Sequence, residues 1–197
     1  MASMKGSRTL ENLAKAFAGE SQARNRYTFA ASVARKEGFR QIEALFIETA
    51  DNEREHAKRF YQCAVEGTGA SDPVPVNVNA EYPFGLGSTL QNLKAAAAGE
   101  NEEHTKLYPA FADVADAEGF KDVAALFRMV AKVEVEHEMR FLKLAANIEK
   151  GQVFKKSGKT RWKCRNCGYI HEGDAAPGKC PTCLHAQEHF ELLAENY

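Results

Sequence analysis

From residue 7 to residue 149 apolar and charged positions interleave along stretches rich in Ala, Leu, Glu, Lys and Arg, and glycine and proline gather at the breaks. These residue types favour helix. The pattern predicts helices over 7–36, 40–66, 88–117 and 121–149. Gly38 and Gly119 mark tight reversals, and Ser88 with Gln91 fits a capping box that opens the third helix. Residues 67–87 carry Pro73, Pro75 and Pro83 between alternating Val74, Val76 and Val78. That stretch is too rich in proline for a helix and suits a long crossover between two helical hairpins. The expected architecture is an all-α four-helix bundle over 1–150, a linker over 151–160, and a small C-terminal metal-binding β domain over 161–197. The last of these is too small to hold together by apolar burial alone, so it needs a metal staple.

The two hairpins repeat one another. Thr9-Leu10-Glu11-Asn12-Leu13 resembles Thr89-Leu90-Gln91-Asn92-Leu93, and Ala18-Gly19-Glu20 matches Ala98-Gly99-Glu100. Glu37-Gly38-Phe39 matches Glu118-Gly119-Phe120, and Glu53-x-x-His56 matches Glu134-x-x-His137. The repeat slips once. Glu20 to Gly38 spans 18 residues and Glu100 to Gly119 spans 19; Tyr27 lies seven after Glu20 and Tyr108 eight after Glu100. An extra residue inside a helix usually forms a π-bulge. The slip therefore predicts a bulge near Glu103, just before Pro109, turning Glu103 towards the other carboxylates. The alternative is that the turn before Gly119 absorbs the residue and Glu103 faces solvent.

The same residues carry the chemistry. Glu-x-x-His sets a carboxylate and an imidazole one turn apart on one helix face. Two such pairs, Glu53/His56 and Glu134/His137, with Glu20 and Glu100 from two other helices, meet the needs of a two-metal carboxylate centre in a bundle. Surface glutamates are common, but the repeat keeps these six while much around them differs. Carboxylate and imidazole suit iron or manganese. Glu103 replaces Ala23 of the first hairpin and reads either as an extra ligand or as a surface carboxylate. Tyr27 and Tyr108 read as core aromatics that also donate hydrogen bonds to ligand carboxylates.

The tail gives Cys164-x-x-Cys167 and Cys180-x-x-Cys183, a four-thiolate site whose spacing fits structural zinc or a single redox iron. Gly168 and Pro181 shape its two knuckles. His171, His185 and His189 lie nearby, but four cysteines already complete the site. Cys63, the fifth cysteine, is expected to pack in a helix interface. The basic run from Lys155 to Arg165 reads as a solvated linker or a dock for an acidic redox partner. Charge is nearly balanced, with 26 Lys+Arg against 27 Asp+Glu. That argues against nucleic acid as a bulk electrostatic partner. No apolar run reaches membrane-span length, no secretory signal is recognisable, and a cytoplasmic location is expected.

The segments AGESQARNRY, EREHAKR, AAGENEE, EVEHEMRF and KCRNCGYIHEG make the chain resemble the rubrerythrin family, a ferritin-like di-iron bundle followed by a rubredoxin-like domain. The resemblance implies a peroxidase that reduces hydrogen peroxide to water, with two non-haem irons in the bundle and one iron on the cysteines. Zinc is the alternative occupant of the cysteine site in recombinant material. It implies di-iron ligands at Glu20, Glu53, Glu100, Glu103, Glu134 and His137, with Glu53 and Glu134 bridging. His56 is implied to replace Glu103 when the iron is reduced. The expected electron donor is rubredoxin or an NAD(P)H-dependent reductase, and the expected assembly is a head-to-tail homodimer. The competing class is a ferroxidase that handles iron.

Overall fold

A computed structural model describes residues 3–196. Helices α1 (Arg8–Lys36) and α2 (Arg40–Thr68) form the first hairpin. The second consists of α3 (Thr89–Glu102), a π-helical turn (Glu103–Leu107) and α4 (Tyr108–Ala117), which run on as one interrupted helix and return through α5 (Lys121–Glu149). The slip in the repeat is thus taken up inside the helix, at Glu103, and not in the turn before Gly119.

Gly38 and Gly119 reverse the chain with φ of 78° and 84°, values that suit glycine and cost other residues. The Ser88 hydroxyl accepts from Gln91 N–H at 3.3 Å, and the Gln91 side chain accepts from Ser88 N–H at 2.9 Å. The hairpins also cap each other. Glu118, at the end of α4, accepts from the backbone N–H of Arg8 at 3.1 Å and of Thr9 at 2.8 Å. Glu37, at the end of α1, accepts from Thr89 N–H at 3.0 Å. Each acidic side chain meets the positive end of the opposite hairpin's first helix.

Two apolar clusters form the core. One gathers Tyr27, Phe46, Leu93 and Phe141, the other Leu13, Phe60, Tyr108 and Phe127. Each fully buried aromatic contributes roughly 1.5–3 kcal/mol. Tyr27 and Tyr108 each tie one cluster to the layer of buried carboxylates described below, so that layer is walled by material of low dielectric. Residues 70–88 cross over without helix or strand.

Residues 151–160, expected as linker, behave as linker only to Phe154. Strand β1 (Lys155–Cys164) already starts there and pairs antiparallel with β2 (Ile170–Ala175) and β3 (Phe190–Leu192), in the order β2-β1-β3. Lys155 lies opposite Ala175, so the basic residues read as linker belong to a strand, and from Lys159 on they alternate with Thr160, Trp162 and Cys164, which point inward. Trp162 and Phe190 fill the small core, and the Trp162 indole N–H donates to the Gly173 carbonyl at 3.2 Å. This domain rests on the α1–α2 reversal: Phe154 stacks on Phe39 at 6.3 Å, and Arg40 donates to Glu188 at 3.0 Å. Among the described residues no helix is long and apolar enough to cross a membrane.

Candidate metal centres

Six side chains converge between the two apolar clusters. Glu20 comes from α1, Glu53 and His56 from α2, Glu100 from α3, and Glu134 and His137 from α5. Helical spacing brings each Glu-x-x-His pair to the interior, and antiparallel pairing of the hairpins sets the pairs face to face. Glu20, Glu53, His56 and Glu134 form one donor set; Glu53, Glu100, Glu134 and His137 form another. Glu53 and Glu134 belong to both, the geometry of two carboxylates shared between two ions.

The distances repeat in mirror fashion. His56 Nδ1 lies 2.9 Å from Glu53 Oε2 and 3.0 Å from Glu134 Oε1, and His137 Nδ1 lies 2.7 Å from Glu134 Oε2 and 3.1 Å from Glu53 Oε1. These are hydrogen-bond lengths, yet both imidazole nitrogens and both oxygens of each shared carboxylate lack aligned hydrogen-bond partners. Two atoms that each bind one ion at about 2.1 Å and at right angles stand about 3 Å apart. The alignment therefore fits donors aimed at common points better than it fits ion pairs. Leaving that many buried polar atoms unpaired is costly. Divalent ions offset it, so the residues fit a two-metal centre.

Electrostatics agree. Burial and the neighbouring carboxylates hold Glu20 and Glu100 well above the usual carboxylate range. Burial also raises Glu53, but His137 and His56 outweigh it and hold Glu53 low. For the imidazoles burial works downwards, and Glu134 with Glu53 overcomes it, raising His56 to about 10 and His137 to about 9. Protons stand in for cations here.

Tyr27 donates to Glu100 and Tyr108 donates to Glu20. The tyrosines thus serve the glutamate of the opposite hairpin and leave each carboxylate's other oxygen free for an ion. Glu103 lies outside both donor sets and beside them. Burial, Glu134 and Glu53 push its carboxyl up to about 8. His56, not Glu103, stands within the first set.

The four cysteines also converge. Cys164 and Cys183 sulfurs are 3.8 Å apart, and those of Cys167 and Cys180 are 3.6 Å apart. The edge of a tetrahedron with metal–sulfur bonds of about 2.3 Å is about 3.8 Å. The backbone N–H of His185 leads in lowering Cys183 to about 5, which favours thiolate. Tyr169 N–H does the same for Cys167, but burial and the crowded sulfurs push that thiol up to about 12. His185 and His189 stack edge-to-face at 4.8 Å beside the site and are not among the four donors, and His171 lies on β2 opposite Trp162. Cys63 is buried in the second apolar cluster.

Some participants escaped the sequence reading. His104 Nε2 meets Glu138 Oε2 at 2.6 Å, and Asn101 donates to the same carboxylate at 3.0 Å, pinning the π-helical turn to α5. Nothing in the repeat marks them, because the first hairpin has no such turn. The caps Glu37 and Glu118 were in view as repeated residues, and their partners Thr9 and Thr89 were as well; only the packing of the hairpins pairs them.

The family model described as Rubrerythrin matches residues 11–145, and the one for the rubrerythrin rubredoxin-like domain matches residues 162–191. Rubrerythrin-1 of Clostridium acetobutylicum is 58% identical over 198 residues, covering 100% of both chains. The rubrerythrin of Nitratidesulfovibrio vulgaris is 49% identical over 198 residues, again 100% of both. The solved structure of fully reduced, all-ferrous nigerythrin superposes with a TM-score of 0.62 at 31% identity, covering 98% of this chain and 92% of that one. A Mycobacterium tuberculosis bacterioferritin shares the bundle at 16% identity, with a TM-score of 0.62 over 76% of this chain and 90% of its own. That last likeness speaks for the fold alone. With one family model on the helices that hold the carboxylates and another on the small domain that holds the cysteines, the chain belongs to the rubrerythrin family.

Proposed function

We propose that this chain is a peroxidase that reduces hydrogen peroxide to water with iron in both centres. One observation carries this reading: two donor sets share Glu53 and Glu134 in a chain that also holds a four-thiolate site. Two ferrous ions held by the bundle would supply both electrons for H2O2 + 2e− + 2H+ → 2H2O, and the cysteine-held iron would return them singly from rubredoxin or an NAD(P)H-dependent reductase. The residues divide the rest of the work. Glu53 and Glu134, common to both donor sets, would be shared by the two ions. Tyr27 and Tyr108 keep Glu100 and Glu20 in place by hydrogen bonds. Glu103 and His56 are the exchangeable pair, one beside the donor sets and the other within them. The walls of Phe46, Phe60, Phe127 and Phe141 keep bulk water away.

Stopped-flow oxidation of the fully ferrous protein tests the reading, with hydrogen peroxide expected to react much faster than oxygen. Equal rates, or faster oxidation by oxygen, would support a ferroxidase instead. A head-to-tail pair of subunits suits the relay. The cysteine domain contacts α2 at Arg40 and faces it across a surface hollow as far as Ile47, six residues or about 9 Å along the helix from Glu53, so a path within one chain is the alternative. Mixing a subunit truncated after Lys150 with one carrying Glu53→Gln and Glu134→Gln should restore turnover that neither parent has; no restoration refutes transfer between subunits.

A further inference from the structure

A cavity of ≈ 330 Å³ lies beneath the crossover, between the segment around Tyr82 and the seam of α1 with the second hairpin. Its lining includes Glu103 and Tyr108, which adjoin the donor sets, and Arg26. Gly19 and Gly99 line it too. These glycines each precede a predicted ligand, Glu20 and Glu100, and correspond to one another in the repeat. A Cβ at Gly19 would stand 3.9 Å from Glu103 Oε1 and 3.9 Å from the Tyr82 ring; one at Gly99 would stand 3.8 Å from Arg26 Nη2. At Gly19 one added carbon would thus touch both the crossover, at Tyr82, and a carboxylate, Glu103, while at Gly99 it would touch Arg26. Tyr82 closes the outer side. Its hydroxyl donates to the Lys15 carbonyl at 3.0 Å, a helix carbonyl that also serves its own helix. A second bond to such a carbonyl can be released without unfolding anything.

We propose that this cavity is the port by which small hydroperoxides reach the carboxylate cluster, that Tyr82 is its latch, and that Gly19 and Gly99 set its bore. This rests on the peroxidase reading for its substrate class. Glu103 forms the floor, next to the donor sets but outside them, so its place in or out of the cluster changes the room at the inner end. Arg26 offers hydrogen-bond donors to a peroxide oxygen on the way in. The neck favours hydrogen peroxide over branched organic hydroperoxides, because a single carbon at Gly19 already reaches van der Waals contact with both Tyr82 and Glu103, and the further methyl groups of a branched chain would have to displace one of them.

Two readouts on the full-length chain separate the port from the reaction. The first is uptake of cobalt(II) by protein freed of bundle metal, with zinc left on the cysteines, followed by visible absorption. The second is single-turnover oxidation of the ferrous protein by hydrogen peroxide and by tert-butyl hydroperoxide. Gly19→Val should slow cobalt uptake and peroxide oxidation about tenfold or more, with unchanged final stoichiometry. Ser21→Val, which faces a different surface hollow, is the control and should change neither. Tyr82→Ala lies on the crossover and disturbs no helix, so it serves even if Gly19→Val folds poorly. It should speed tert-butyl hydroperoxide about tenfold while changing hydrogen peroxide by less than about twofold. Unchanged discrimination in Tyr82→Ala, or equal slowing of cobalt uptake by Ser21→Val and Gly19→Val, overturns the port. Should the parent protein prefer oxygen to hydrogen peroxide, the peroxidase reading fails, and the cobalt rates still decide the port.

Discussion

The two hairpins contribute the same kinds of groups to the candidate metal centre, yet only one of them is a regular pair of helices. In the first, α1 passes from Glu20 to its end at Lys36 without interruption, and its counterpart to Glu103 is Ala23, buried in the apolar core. In the second, one added residue opens the π-helical turn at Glu103–Leu107. The extra residue leaves Glu100 in the register of α3 and Tyr108 in that of α4, and it turns Glu103 towards the cluster between them. A single insertion therefore makes an otherwise two-fold site asymmetric. Both hairpins keep an imidazole inside the donor sets, His56 and His137, and only the second adds a carboxylate, Glu103, beside them. The turn is held from outside by His104 and Asn101 on Glu138, so the weaker backbone bonding there is secured by α5.

The sharpest test of equivalence between the hairpins removes one shared carboxylate at a time. Glu53→Gln and Glu134→Gln should each lower bundle metal affinity at least about 100-fold, by similar amounts, since each serves both donor sets. Metal content after dialysis against a chelator measures it. A large difference between the variants would show that the symmetry is only geometric.

Deleting Thr105 should erase the asymmetry. Each residue advances an α-helix by about 100°, so the shortened helix can close its π-helical turn while Glu103 swings off the cluster. Loss of peroxide turnover of about 100-fold is expected, with the bundle still folded by circular dichroism. Full activity in that variant would detach Glu103 from the reaction.

Acidity sharpens the comparison further, because the cluster without metal holds its imidazoles as cations. His56 and His137 are raised to about 10 and about 9, above their ordinary value near 6.5. Their contribution is complete below that ordinary value and is lost as pH rises through 9 and 10. Glu103, raised to about 8, and Glu20 and Glu100, also raised, act in the same direction, since the fold favours their protonated forms. Metal-free protein should therefore lose at least about 5 °C in Tm between pH 6.5 and pH 10. Metal-loaded protein should not, because metal binding displaces those protons. Parallel curves with and without metal would refute the exchange of protons for ions.

The smallest effect concerns the reciprocal caps. Glu118→Ala removes two backbone acceptor contacts and Glu37→Ala removes one, so losses of about 1 kcal/mol and somewhat less are expected. Urea denaturation reads both. Equal losses would mean that charge near the helix ends matters more than the individual hydrogen bonds.

Most of this molecule was visible along the chain, for identifiable reasons. Helix propensity, Gly38, Gly119 and the Ser88 capping box are local, so helix boundaries came out within about two residues. The repeat singled out the candidate metal donors because it kept Glu20, Glu53, His56 and their counterparts where helical spacing sets them on one face. Counting from Glu100 to Tyr108 and on to Gly119 pointed to the π-helical turn but left the turn before Gly119 as an alternative, and the structure decides for the helix. Other features depend on which surfaces meet. Crossing of the tyrosines, Tyr27 to Glu100 and Tyr108 to Glu20, needs the hairpins packed together, since each tyrosine is close in sequence to the other glutamate. The strand from Lys155 looked like a basic linker because its pairing partner, around Ala175, is 20 residues away. The cavity beneath Tyr82 needs the crossover laid over α1, which no local pattern encodes. Local preferences and periodicity are set by neighbours in the chain and can be read there; contacts between distant segments are set by the fit of whole surfaces, and only the folded structure decides them.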